Sequence, residues 1–243
     1  MKYTREFTIG CQYTDPNGFV RAAELWRVMQ ETAGLHIKEK YYSVEEMQKM
    51  DMAFVMSKLC LRFLSSVKPH TGVVARTWAR GRSAYKLFRN YEMEDKFSGE
   101  LLCESATVWA LIRLSDRKLM QTDSLVRPIP TCEADVSASI PQKVDTMPVE
   151  AYHDVGVHTV GYVDLDTYAH MNNMRYIDLI CEHLPLTEDY RVKEICVEYR
   201  NEAVFGDRID ISVCRDGDSF FIKGTLSGGR PCFVSRADIE RIV

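Results

Sequence analysis

The 243-residue sequence lacks several features that would place it in a large class of proteins. No apolar run approaches the roughly 20 residues that a membrane-spanning helix requires. The first ten residues, MKYTREFTIG, carry charges and no apolar stretch, so no secretory signal is predicted. The cysteines form no C-x-x-C pair, and without a signal segment they predict reduced thiols in a cytoplasmic protein.

Motifs for common cofactors and nucleophiles are also missing. There is no G-x-G-x-x-G, no G-x-x-x-x-G-K and no G-x-S-x-G nucleophile elbow. His153 and His158 have no Cys or His cluster at metal-ligand spacing, so we predict neither a metal nor a cofactor. With 31 Lys and Arg against 35 Asp and Glu, the net charge of −4 argues against a nucleic-acid partner. The length suffices for one large domain or two small ones.

A proline-rich stretch divides the chain. Residues 124–150 contain four of the eight prolines and show no helical period, which is typical of a connector. We therefore predict a first domain over residues 1–123, a connector over 124–150 and a second domain over 151–243.

Both predicted domains show the same order of elements: strand, turn, apolar helix and four strands. The helices are predicted over Ala22–Glu39 and Asn173–Leu184, and Ser43-x-x-Glu46 predicts the capping box of a short extra helix in the first domain. The predicted strands are Arg5–Tyr13, Phe54–Leu64, Val73–Trp78, Leu87–Glu94, Leu101–Leu114, Gly156–Val163, Val192–Arg200, Arg208–Val213, Phe220–Leu226 and Pro231–Ile239.

Short sequence matches support an internal repeat. Asp15–Val20 aligns with Asp166–Met171, and Leu59–Phe63 aligns with Ile195–Tyr199. The predicted fold class is α+β: two copies of an antiparallel sheet, each wrapping one central helix.

Most of the candidate catalytic residues lie in one segment of the second domain, V-D-L-D-T-Y-A-H-M-N-N-M-R-Y, residues 163–176. It joins a strand to a helix, and a helix start presents unpaired N–H groups that favour a developing oxyanion. Asp166 and His170 lie four residues apart there and offer an acid and an imidazole for work on a carbonyl and a water. Asn172 and Asn173 also fit the role of ordinary helix caps.

This segment resembles the signature of hotdog-fold thioesterases, and most of all that of the acyl-ACP thioesterases, which read D-L-D-x-N-x-H-V-N-N. The segment E-Y-R-N-E, residues 198–202, resembles the E-Y-R-x-E segment of the same family. The first half also fits, at D-P-N-G (15–18), Q-E-T-A-G (30–34) and V-W-A-L (108–111). The resemblance implies a tandem hotdog that hydrolyses fatty acyl-ACP to free fatty acid and ends chain elongation in fatty acid biosynthesis.

The resemblance also implies roles for individual residues. Asp166 would orient or charge the site, His170 would polarise the carbonyl or move a proton, and Glu202 would activate water or stabilise charge. Backbone N–H groups of Met171, Asn172 and Asn173 would hold the thioester oxygen.

Two positions depart from the family pattern. Tyr168 stands where the family usually has Asn, and a phenol cannot both donate and accept as an amide does. Ala203 stands where the plant enzymes often have Cys, which excludes a Cys–His nucleophile pair and favours attack by water. The first domain has Phe19 and Ser66 where the second has His170 and Glu202, so the catalytic site is predicted in the second domain only.

The first domain would then shape the acyl pocket, with Trp26 and Met29 as candidate substrate-binding residues on the first helix. The segment from Arg76 to Arg89 holds five basic residues and no acidic one. It is either a solvated strand face or a docking surface for the acidic carrier protein through Arg82, Lys86 and Arg89. The chain is expected to be a monomer or a homodimer.

Three other functions stay open at this point. An acyl-CoA thioesterase would use the same site on a different carrier. A non-hydrolytic acyl-binding protein would follow if Tyr168 has blunted catalysis, and a dehydratase fits the motif less well.

Overall fold

A computed structural model describes residues 2–186 and 189–242. Contacts between residues divide the chain into two compact units, and the main division falls after Pro141, inside the predicted connector. Unit 1 contains the residues through Val20 together with Leu25–Pro141, and unit 2 contains Arg21–Glu24 and the residues from Gln142 onward. None of the described helices is long and apolar enough to cross a bilayer.

Unit 1 is an antiparallel sheet with one long helix, of which it contains the part from Leu25 onward. Its five main strands lie in the order β1-β3-β4-β5-β2, and the short β6 pairs with β5. The strands are β1 (Tyr3–Thr8), β2 (Met52–Phe63), β3 (Gly72–Arg82), β4 (Lys86–Asp95), β5 (Leu101–Arg113) and β6 (Leu119–Met120), and the helices are α1 (Ala22–Lys40) and α2 (Val44–Lys49).

Unit 2 repeats this topology. Its five strands lie in the order β7-β9-β10-β11-β8, which is the order of unit 1 with each strand replaced by its counterpart. The elements are β7 (His153–Thr159), α3 (Asn173–Cys181), β8 (Tyr190–Tyr199), β9 (Arg208–Asp216), β10 (Ser219–Leu226) and β11 (Arg230–Arg241). The predicted element order is therefore confirmed in both units.

Each helix buries one apolar face. Along α1, Trp26 and Met29 are fully buried, and Leu25 and Val28 are nearly so. In α3, Tyr176, Ile177, Leu179 and Ile180 are buried. This is the amphipathic spacing on which the two helices were predicted.

Boundaries differ where local hydrogen bonds override the pattern. The strand predicted over Gly156–Val163 ends at Thr159, because Tyr162–Asp164 forms a 3-10 turn in which the Asp164 carboxylate accepts the Gly161 N–H at 2.8 Å. The predicted α3 loses its last turn, where His183 and Leu184 make short i→i−3 bonds. The capping box at Ser43 and Glu46 is present as predicted.

The predicted connector is anchored rather than loose. In unit 1, the Trp78 indole donates to the Asp135 carbonyl at 2.8 Å, and Arg80 and Asn90 both donate to the Ala138 carbonyl. In unit 2, the Val144 N–H donates to the buried Glu198 carboxylate at 2.8 Å. Because these bonds pair backbone groups of the segment, it follows a defined path without regular secondary structure.

Six cysteines are free thiols: Cys11, Cys103, Cys132, Cys181, Cys214 and Cys232. Cys60 and Cys196 are disulfide-bonded, so the prediction of a reduced thiol is wrong for these two.

Candidate active site

The loop between β7 and α3 is built around the Asp166 carboxylate. Its Oδ1 accepts the backbone N–H groups of Tyr168 at 2.8 Å and of His170 at 3.2 Å. The Asp166 N–H donates to the His170 carbonyl at 2.8 Å, and Ala169 takes a left-handed φ of 61° to close the turn. Asp166 therefore fixes the backbone that carries His170.

A second contact brings Glu202 to the same place. The Met171 N–H donates to the Ala203 carbonyl at 2.8 Å, and His170 forms a β-bridge with Val204. This register puts the residue before Ala203 beside the loop, and His170 Nε2 lies 3.3 Å from Glu202 Oε2. The two side chains are 24% and 37% exposed, so a water or a ligand can reach them.

The same hydrogen bonds occur at the equivalent positions of unit 1. The Asp15 carboxylate accepts the Phe19 N–H at 3.0 Å, and the Val20 N–H donates to the Val67 carbonyl at 2.7 Å. Gly18, with a φ of 79°, takes the place of Ala169. Phe19 and Ser66 thus stand in the positions of His170 and Glu202, so the first repeat has no ionisable pair at the place where the second has one.

The start of α3 does not offer all three of the backbone N–H groups that were predicted to hold the thioester oxygen. The Met171 N–H is bonded to Ala203, and the Asn172 N–H donates to the Asp164 carbonyl at 2.8 Å. The Asn172 side chain accepts the Met174 N–H at 3.0 Å, which makes Asn172 the N-cap of α3. Neither of these two N–H groups is available for an oxyanion, whereas Asn173, the first residue of the helix, has an N–H with no partner inside the helix.

The segment 198–202 contacts the start of α3 through Tyr199. The Tyr199 hydroxyl donates to the Asn173 carbonyl at 3.2 Å, and its ring meets Tyr176 edge-to-face at 5.3 Å between centroids. Burial raises the pKa of Tyr199 and of Tyr176, so both phenols stay neutral. One segment thus supports the start of α3 and supplies Glu202.

An ionic cluster around Asp164, for which the sequence motif predicts no role, lies next to the loop. The Asp164 carboxylate is 8% exposed, lies 3.1 Å from His158 Nε2 and 4.0 Å from Arg175 Nε, and accepts the Gly161 N–H. Its own carbonyl accepts the Asn172 N–H, so it connects β7 to the N-cap of α3. The first Asp of D-L-D was the signal for this residue, since the equivalent position in the first repeat is Tyr13.

The predicted substrate-binding and docking residues have different environments. Trp26 and Met29 are fully buried on α1, and their role as substrate-binding residues stays a prediction. Lys86 is exposed, and Arg82 is 42% exposed and pairs with Asp123 at 2.9 Å. Arg89 is only 7% exposed, so its predicted contact with a carrier protein is wrong: a buried guanidinium cannot touch a docked partner.

Comparison with known families and structures adds to this geometry. The family model for the acyl-ACP thioesterase N-terminal domain matches residues 1–128, and the model for the C-terminal domain matches residues 150–227. The chloroplastic acyl-[acyl-carrier-protein] hydrolase FATB3 of Cuphea viscosissima is 26% identical over 200 residues, which are 73% of this chain and 46% of that protein. The chloroplastic oleoyl-acyl carrier protein thioesterase of Coriandrum sativum is 20% identical over 227 residues, which are 86% of this chain and 62% of that protein. The chain thus spans about half the length of the first of these relatives and about three-fifths of the second.

Two solved structures match nearly the whole chain. An acyl-ACP thioesterase from Bacteroides thetaiotaomicron superimposes with a TM-score of 0.85 at 22% identity, covering 98% of each chain. A 12:0-ACP thioesterase from Umbellularia californica gives 0.78 at 18% identity, covering 99% of this chain and 98% of the other. At these identities the matches establish the fold, and the predicted α+β tandem hotdog is confirmed.

Proposed function

The chain belongs to the acyl-ACP thioesterase family, and from that premise we propose that it hydrolyses the thioester of a fatty acyl-ACP and releases the free fatty acid. The observation that carries the proposal is the His170–Glu202 pair, which the second repeat builds and the first repeat lacks. A carboxylate and an imidazole in contact at an exposed strand-to-helix loop are suited to moving protons on and off a water and a leaving group.

In the proposed reaction, Glu202 accepts a proton from the attacking water, and the oxygen of that water bonds to the thioester carbon. His170 gives a proton to the departing sulfur as the C–S bond breaks. The Asn173 N–H, at the positive end of α3, holds the oxygen that becomes negative. Asp166 is a positioning residue, because its Oδ1 is engaged by the backbone of Tyr168 and His170.

Ala203 supports a direct attack by water. It is fully buried, its carbonyl is bonded to Met171, and its side chain has no nucleophilic atom. A covalent acyl-enzyme at that position is therefore chemically excluded. Tyr168 shares the Asp166-bonded turn and replaces the family's amide with a phenol, and we propose that it modulates the rate.

The decisive experiment is a turnover panel of acyl-ACPs from short to long chains, run in parallel with the matching acyl-CoAs. Preferential release of fatty acid from acyl-ACP supports the proposal. Faster turnover of acyl-CoA would assign the protein to acyl-CoA hydrolysis, and bound acyl chains without turnover of either series would make it an acyl-binding protein. The cytoplasmic location stays a prediction from the sequence.

Docking of the carrier protein is proposed on the exposed part of the basic segment. Of its five basic residues, Arg76 pairs with Glu94, Arg80 bonds the Ala138 carbonyl and Arg89 is buried. Lys86 and Arg82 remain on the surface to meet the acidic carrier protein. Replacing both by Gln should raise the KM for acyl-ACP severalfold and leave hydrolysis of a small thioester unchanged, whereas an equal loss on both substrates would contradict docking.

A further inference from the structure

Arg89 on β4 is a buried cation with neutral partners. Its Nη1 lies 3.1 Å from His36 Nδ1 and donates to the Thr77 hydroxyl at 3.0 Å. Burial and the charge of Arg89 lower the pKa of His36 to about 4, so the imidazole is neutral at physiological pH and accepts through Nδ1. Neither partner neutralises the guanidinium.

The other edge of the guanidinium is formed by Nε and Nη2. A guanidinium carries five N–H donors, and the two contacts above use the pair on Nη1. Over residues 2–186 and 189–242, the structure gives no acceptor to Nε or Nη2. Burial lowers the pKa of Arg89, and the groups that oppose this shift are the phenols of Tyr91 and Tyr41 rather than a carboxylate. Because arginine does not lose its proton in proteins, the charge stays, and no carboxylate of the described part of the chain pairs with it.

Arg89 lies on the face of β4 that α1 covers, because its Nη1 contacts His36 of α1. His36 lies seven residues after Met29, hence on the same helical face. Trp26 meets Tyr91 edge-to-face at 5.2 Å, and Tyr91, two residues after Arg89, points to the same side of β4. Trp26 Nε1 is a buried donor in this interior, and among the described residues it has no acceptor.

We propose that Arg89 is a specificity residue that binds a carboxylate at the far end of an acyl chain. The Nε and Nη2 edge presents two parallel N–H groups, which match the two oxygens of a carboxylate. The proposal rests on the proposed function in one respect, that the α1 face of Trp26 and Met29 lines the acyl pocket. The substrate class it names is the acyl thioester whose chain ends in an acid rather than in a methyl group.

Binding of methyl esters tests the proposal without turnover. The probes are a medium-chain dicarboxylic acid esterified at one end and the monocarboxylic methyl ester of the same length, both measured by calorimetry. Wild-type protein should bind the acid-ended ester at least about tenfold tighter, Arg89→Met should abolish that preference, and Arg113→Met, at an exposed arginine with no assigned role in binding, should retain it. Equal or weaker binding of the acid-ended ester by wild type would overturn the proposal, as would a preference that survives in Arg89→Met.

Two features keep this test decisive. Replacing a buried unpaired charge by an apolar residue of similar length tends to preserve or raise stability, and if Arg89→Met still fails to fold, the two esters on wild-type protein decide the outcome. Hydrolysis of methyl-ended acyl-ACP is measured separately. A protein that binds the acid-ended ester but hydrolyses no acyl-ACP refutes the proposed function alone, and the converse refutes the role of Arg89 alone.

Discussion

Replacing Glu202 by Gln separates two ways in which this residue can assist His170. The atoms His170 Nε2 and Glu202 Oε2 are 3.3 Å apart and both side chains are partly exposed. At that separation a charge pair in a solvated setting contributes about 1–2 kcal/mol, after allowance for screening. If Glu202 only supported a protonated His170, its loss would slow turnover roughly 5- to 30-fold. Because we assign it the proton of the attacking water, we expect a loss of at least about 100-fold.

The assay is single-turnover release of fatty acid from acyl-ACP at saturating enzyme, which isolates the chemical step from product release. Ser66→Ala, at the equivalent position of the first repeat, is the matched control and should keep wild-type rates. His170→Ala should lose a similar factor, and the double variant should be no slower than the slower single variant, because residues that act as a unit are non-additive. A Glu202→Gln enzyme within twofold of wild type, or losses that multiply in the double variant, would refute the assignment.

Three further predictions concern stability and positioning. Since the pKa of His36 falls from 6.5 to about 4 on folding, the unfolded chain binds more protons between these values, and up to about 3 kcal/mol of stability is lost as pH falls from 6.5 to 4. In urea unfolding, the free energy of unfolding of His36→Gln should therefore depend less on pH than that of wild type. Parallel curves of the two proteins would contradict this. In Gly224→Ala the new Cβ would lie 2.3 Å from the Phe233 ring, so we expect a loss of about 1–3 kcal/mol by thermal unfolding, whereas Gly156→Ala, with open space around it, should be neutral. Asp164→Ala should cost about 1–3 kcal/mol and lower kcat together with stability, because it leaves the Gly161 N–H unpaired, and an unchanged melting temperature would contradict that role.

Much of the fold follows from the sequence because its signals are local and repeated. The spacing of apolar residues predicted α1 to within one residue of its end, and the Ser43–Glu46 pair predicted the cap of α2. The repeat is confirmed by hydrogen bonds at matched positions, such as Val20 to Val67 and Met171 to Ala203. The strand before the active loop was predicted too long, since a run of apolar residues does not show that Asp164 folds back on Gly161.

The candidate site was predicted in part for a related reason. Asp166, His170 and Glu202 lie in recognisable segments, and the register between Met171 and Ala203 brings two of their side chains together. The partners of individual N–H groups, which removed Met171 and Asn172 from the oxyanion site, depend on tertiary contacts. The burial of Arg89 was not predicted, because the sequence does not show on which face of the sheet a basic residue of a strand lies. The other basic residues nearby indicated a face in contact with solvent.

The matched loops around Asp15 and Asp166 carry a consequence for how such proteins gain and lose activity. Their backbones are held by the same bonds although one presents a phenylalanine and the other a histidine. The two repeats thus keep the same loop backbone and differ in the side chains at two positions, which decide whether an ionisable pair is present. A duplicated lobe can therefore lose its ionisable pair and still keep the hydrogen bonds that hold its loop.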